Sequence, residues 1–252
     1  MTVTTVYAYD SFQDYHPGKL SGTLPAPYNQ YTGYTFLEYG LKNDIAIDLE
    51  SGYTATDFRG SGLGGITDTT IGARWQFHRT DNTVWTVRAA GIVAGSYAIS
   101  TTANFSPGDK ASGGLGSISG GWNMPHNFYS FIEAGYRVRT NPVPQDAFGT
   151  AGIGHSFKRL TYSTSFQTSR SINGVDIVGA APKFSAYFQP AQFPATKKVF
   201  DAMDFNTTYH FKSGLNFGFD YSKILDGRNV GMKNVLAFSF GFTMPGHMPH
   251  IE

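Results

Sequence analysis

The chain has 252 residues, about 40% hydrophobic and 15% charged, with 21 Phe, 15 Tyr, 30 Gly, no Cys and a formal net charge of +1. Soluble domains carry about 25% charged residues, so the deficit argues against a cytosolic enzyme of the usual kind. The neutral balance removes the electrostatic footprint of a nucleic-acid binder, and the lack of Cys excludes a disulfide framework and any thiolate-held metal.

No run approaches 18 consecutive apolar residues, so no helix is expected to span a membrane. Nor does a charged segment followed by an apolar one open the chain, and Met1-Thr2-Val3 reads as a mature or trimmed N-terminus. Helix formers never cluster at a 3.6-residue period, whereas Thr, Tyr, Phe, Val and Ile dominate. Alternation predicts twelve strands, near 2–12, 28–41, 44–57, 66–78, 83–97, 112–124, 127–139, 146–157, 160–171, 199–211, 214–225 and 231–244. Short connections at 41–43, 79–82, 124–126, 158–159 and 212–214 alternate with long ones at 13–27, 58–65, 98–111, 140–145, 172–198 and 226–230. That rhythm is expected of a barrel with tight turns at one end and loops at the other, both chain ends lying on the turn side. A sandwich gives no reason for it.

The strands alternate in kind as well as in length. Ile71, Ala73, Trp75 and Phe77 share one face, with Asp68, Thr70, Gly72, Arg74 and Gln76 on the other. Ile45, Ile47, Leu49 and Tyr53 oppose Asp48, Glu50 and Thr54; Phe128, Ile132, Tyr136 and Val138 oppose Glu133, Arg137 and Arg139. Phe217, Phe219, Leu236, Phe238 and Phe240 continue the oily set. An oily face points inward in a soluble barrel and outward in a membrane one. Three features favour lipid: strand lengths suited to a tilted crossing, an expected strand content far above that of ordinary globular domains, and aromatic residues crowding the strand ends. The last are Tyr39, Phe77, Tyr97, Phe128, Tyr129, Phe157, Tyr209, Phe211 and Tyr221.

The expected architecture is therefore all-β: a single transmembrane antiparallel up-and-down barrel of about 12 strands over residues 1–244, with short periplasmic turns, longer extracellular loops and a C-terminal tail at 245–252. The polar face collects Glu38, Asp48, Glu50, Asp68, Arg74, Arg88, Glu133, Arg137, Arg139, Asp204, His210 and Asp220 as candidate pore-lining residues. These set a transverse field for a polar solute, or else pair off into a structural network. Gly113, Gly114, Gly116, Gly120, Gly121, Gly149, Gly152 and Gly154 either thin the wall and open a path or mark bends. In the longest loop, Phe184, Tyr187, Phe188 and Phe193 are candidates for stacking on sugar faces or gating the mouth, the alternative being that the rings pack on one another or that strands extend there.

The segments Glu38-Tyr39-Gly40-Leu41, Gly62 to Phe77 (with Thr69-Thr70-Ile71-Gly72-Ala73-Arg74), Glu133 to Arg139 and the last aromatic-alternating strand carry a resemblance. The chain resembles, over residues 28–244, the XagA-type family of outer-membrane barrels, and is similar to the broader barrel family associated with phenol-degradation loci. The first resemblance implies a role tied to exopolysaccharide or adhesin loci, the second uptake of small hydrophobic or aromatic compounds. Neither implies a catalytic residue or a cofactor. Pro245 to Glu252 depart from the pattern, since outer-membrane chains usually stop at the terminal aromatic.

Enzymatic readings are weak. His155 with Ser156 or Ser163 is the one loose nucleophile–base pairing, His78 lies near a turn, and neither a Gly-x-Ser-x-Gly elbow nor a His-Glu-x-x-His helix is present. His247 and His250 have metal-capable spacing within the tail but no further ligands, so no metal is expected. The expected activity is that of a passive outer-membrane channel or the membrane component of polysaccharide export, the alternatives being an uptake channel for small hydrophobic or aromatic compounds or a non-conducting structural or adhesin barrel, with a lipid hydrolase as a further reading to test. The expected partners are outer-membrane lipid and lipopolysaccharide and a periplasmic export component, with no nucleic acid.

Overall fold

The computed structural model describes residues 1–16, 21–97, 108–174 and 196–244. Its strands are β1 (Thr2–His16), β2 (Gly22–Gly40), β3 (Ile45–Phe58), β4 (Ser61–Ile66), β5 (Thr69–Arg79), β6 (Thr83–Val93), β7 (Gly113–Asn123), β8 (Phe128–Arg139), β9 (Asp146–Phe157), β10 (Leu160–Ser171), β11 (Val199–His210), β12 (Leu215–Arg228), β13 (Val230–Gly231) and β14 (Asn234–Thr243). Each long strand pairs antiparallel with its sequence neighbours, and β1 pairs with both β2 and β14. The sheet thus closes as a twelve-strand barrel, with β4 and β13 as short additions to its loop end. Closure satisfies the backbone of every wall strand, which a lipid environment demands. The start of β1 and the end of β14 meet at the turn rim, where the Met1 ammonium donates to the Met244 carbonyl at 3.2 Å.

The alternation sorts the side chains as expected. Trp75 is 51% exposed and Phe238 47%, on the outside, whereas Asp48 is 3% exposed, on the inside. Ile71, Ile132, Phe166, Phe205 and Phe240 continue the exposed oily belt. Against water such a surface would cost about 25 cal/mol per Å² of apolar area. Its place is against acyl chains.

Aromatic rings mark the turn end of that belt. Tyr39, Phe77, Phe128, Phe157, Tyr209 and Phe211 are exposed there, and Trp85 packs edge-on against Trp122 with centroids 5.3 Å apart. Three of the expected girdle residues are elsewhere, Tyr221 among them, which stands further up β12 with its hydroxyl donating to Asn234 Oδ1 at 3.0 Å. Tyr97 is buried between loop stems, and Tyr129 points inward, its ring filling the space over Gly154.

Three expected long connections are largely strand. Residues 13–27 hold the ends of β1 and β2, paired as Tyr15 with Gly22 and Asp14 with Thr23. Pro25 and Pro27 offer no N–H, so the ladder lapses between Thr23 and Tyr28 and the segment reads as loop. Burial of Phe12, Tyr15, Leu24 and Tyr28 against Phe58 holds this end together. At 58–65, β3 doubles back into β4 through Arg59 and Gly60, whose φ values of 55° and 77° give the twist of a two-residue hairpin. At 226–230, β12 runs on to Arg228 and Asn229 turns the chain with φ 58° so that β13 can reach β1.

Candidate functional site

The inward face of the wall carries the charges. On β3, the Asp48 carboxylate is fully enclosed and accepts from Arg74 Nε at 3.1 Å and from Arg88 Nε at 3.1 Å and Nη2 at 2.5 Å. Arg74 also reaches Glu38 at 3.3 Å, and its guanidinium lies 5.3 Å from the Phe36 ring centre. This cluster joins β2, β3, β5 and β6. It depends on Gly72, because a Cβ there would stand 2.8 Å and 3.0 Å from the two Asp48 oxygens.

Nearer the loops, Thr67 and Asp68 interrupt the wall between β4 and β5. Asp68 thereby leaves the ladder and accepts from Arg139 Nη1 at 2.9 Å, the Gly95 amide at 2.8 Å and the Tyr97 hydroxyl at 3.1 Å. Arg137 stands 3.7 Å from Asp146 and 5.6 Å from the Phe148 ring centre. The stem that follows β6 is bound inward, since Tyr97 also accepts the Lys110 amide at 2.5 Å and Asp109 pairs with Lys198. Burial pushes the Asp109 carboxyl up, but Lys198, Arg139 and Arg137 outweigh it and hold the group below the usual carboxylate range.

Three cavities lie along this wall. The turn-side one, about 470 Å³, is lined by Glu38, Arg74, Arg88 and Glu133; a middle one, about 420 Å³, by Tyr34, Glu50, Asp68, Arg88, Arg137 and Arg139; a loop-side one, about 300 Å³, by Asp109, Arg137, Asp146, Gln167 and Lys198. Arg88 belongs to the first two and Arg137 to the last two.

On the other side of the ring, Asp204 of β11 accepts from Ser165 at 3.3 Å and from Gln167, while Asp220 of β12 accepts from Asn206 at 3.3 Å. His210 is at the exposed turn rim, 3.3 Å from the Thr161 hydroxyl. Phe184, Tyr187, Phe188 and Phe193 lie outside the described residues, as do the tail and its His247 and His250.

Two readings of the sequence change. Inward glycines do not simply open the wall: Gly135, Gly152 and Gly154 are covered by the rings of Phe148, Phe131 and Tyr129. Gly120 is covered from outside by Trp85, and Gly114 and Gly116 line a groove on the outer surface with Ile71, Tyr136 and Val138. The pairing of His155 with Ser156 or Ser163 is not formed. The imidazole sits on the outer face between Phe128 and Tyr162, at 4.6 Å and 5.4 Å, while both serines alternate to the inner face. Tyr34, Phe36, Phe131 and Phe148 join Tyr129 as inward aromatic residues that the alternation did not mark. Their phase with Glu38, Glu133 and Asp146 was the signal.

Oily outside, charged inside and closed on itself, the chain is a membrane-spanning β-barrel of the bacterial outer-membrane kind. No protein-family model and no curated protein matches its sequence. Among solved structures it is similar to the COG4313 outer membrane channel from Pseudomonas putida F1, with a TM-score of 0.76 at 7% identity over 96% of this chain and 95% of that one. It is also similar to the KdgM porin (TM-score 0.57, 6% identity, 96% and 99% covered). The translocator domain of the autotransporter NalP from Neisseria meningitidis has a TM-score of 0.54 at 12% identity, with 96% and 88% covered. Porin and translocator fit about equally well, so the fold is shared and the function has to be argued from the lumen.

Proposed function

We propose that the chain is a passive outer-membrane channel for small polar solutes. The supporting observation is the succession of three cavities from turn side to loop side, each with charged side chains in its lining and joined to the next by one arginine. No energy source is built into such a wall, so net flow follows the concentration gradient. Charged and hydroxyl groups lining the path favour a hydrated solute over the hydrophobic compounds that one resemblance implies, because those prefer an apolar lining. Spaces of a few hundred Å³ divided by Arg88 and Arg137 suit a small molecule better than a polysaccharide chain in transit.

The test is conductance. Protein refolded into a planar lipid bilayer is expected to give discrete current steps, and no fatty acid is expected from detergent-dispersed lipid. Folded protein that gives no steps yet binds cells or glycan contradicts the channel and supports an adhesin.

A further inference from the structure

The lumen arginines look like a path for anions, but their partners change the balance. Arg74 and Arg88 are held by Asp48 and Glu38, Arg139 by Asp68, and Arg137 by Asp146. Four guanidinium groups are thus matched by four carboxylates. Glu50, Glu133, Asp204 and Asp220 are left over, with no ion-pair partner among the described residues. Asp204 and Asp220 are hydrogen-bonded by a hydroxyl and by amides, which leave the formal charge in place.

Their placement matters as much as their number. Glu133 lines the turn-side cavity and Glu50 the middle one, so the junction at Arg88 has an unmatched carboxylate in the cavity on each side. Asp204 and Asp220 are on β11 and β12, which stand halfway round the ring from β5 and β6 in the strand order. The inward face thus carries unmatched carboxylates on both sides of the ring, Glu50 and Glu133 beside the paired arginines and the hydrogen-bonded Asp204 and Asp220 opposite them.

The near-neutral composition conceals this arrangement, because the excess cations sit at the turn rim. Lys42, Arg79, Lys158, Arg159 and Lys212 are exposed there, against Asp44 and Asp81.

We infer that the conducting path selects for cations, and among organic solutes for those bearing an ammonium group, with Glu50, Glu133, Asp204 and Asp220 as the specificity-determining residues. This rests on the channel reading above. A water-filled bore with low-dielectric walls focuses the field of unmatched charge, enriching counter-ions and depleting co-ions.

The experiment is the reversal potential of the purified chain in a phosphatidylcholine bilayer across a tenfold KCl gradient. The wild type is expected to pass K⁺ over Cl⁻ by at least about threefold. Glu50→Gln, Glu133→Gln, Asp204→Asn and Asp220→Asn combined should bring the ratio near one, and Arg88→Gln should raise it above the wild type. If the combined variant fails to fold, judged by heat-dependent electrophoretic mobility, Glu133→Gln alone should lower the ratio part of the way. Conductance with a zero or anion-selective reversal potential overturns the inference and leaves the channel standing. Folded wild-type protein with no conductance overturns both.

Discussion

The wall formed by β3, β5, β6 and β8 and the wall formed by β11 and β12 handle charge in opposite ways. The first ties its guanidinium groups to carboxylates and to the rings of Phe36 and Phe148. The second carries Asp204 and Asp220 on neutral donors alone. Removing one member of an enclosed ion pair strands the other, whereas a carboxylate facing a water-filled bore is already solvated. Paired charge therefore acts mainly on stability, and unpaired charge mainly on what passes.

Asp48→Ala leaves Arg74 and Arg88 with only Glu38 between them, and should cost about 3 kcal/mol or more in the unfolding free energy of the detergent-embedded barrel. Asp204→Asn should cost less than about 1 kcal/mol. Equal losses in denaturant titrations would break the distinction between the walls. A smaller effect tests the ground on which Asp48 stands. Gly72→Ala crowds both carboxylate oxygens and should cost about 1–3 kcal/mol, while Gly91→Ala, with nothing within 4 Å of the added methyl, should be neutral or slightly stabilising in the same titration.

The smallest effect concerns the loop tether of Asp109 and Lys198. Because the Asp109 carboxyl is held below its ordinary value of 3.8, the tether contributes fully above that pH and is lost as pH falls below it. For a partly exposed pair the contribution is about 1 kcal/mol or less. Open-channel current in the wild type should become noisier only as pH falls well below 3.8, through the lowered range of Asp109, and Lys198→Gln should show that noise at neutral pH as well. Quiet current from Lys198→Gln at pH 7 would contradict the tether.

Much of the barrel was legible because lipid outside and water inside impose a period of two that survives along each strand. Ile71 to Phe77 and Leu236 to Phe240 announce it directly. What the pattern hid has physical causes. Pro25 and Pro27 disguised the upper part of β2, and the glycine-rich Ser61 to Gly65 disguised β4 as loop although it is paired to β3. Inward rings such as Phe36 and Phe148 were invisible to a rule equating apolar with lipid-facing, although they stack under the arginines. The charged residues could be read as inward, but not their pairing. Asp48 and Arg88 lie 40 positions apart, and only the register through β5 brings them together.

The two faces of one strand meet different solvents, and the lack of Cys makes this directly measurable. In reconstituted vesicles, Ser117→Cys, on the lining of the turn-side cavity, should react with a water-soluble, membrane-impermeant maleimide, and Ile71→Cys, on the oily belt, should resist it and instead be reached by a lipid-soluble reagent. Labelling in the reverse order would place the oily face inward and the charged face outward, as in a soluble barrel.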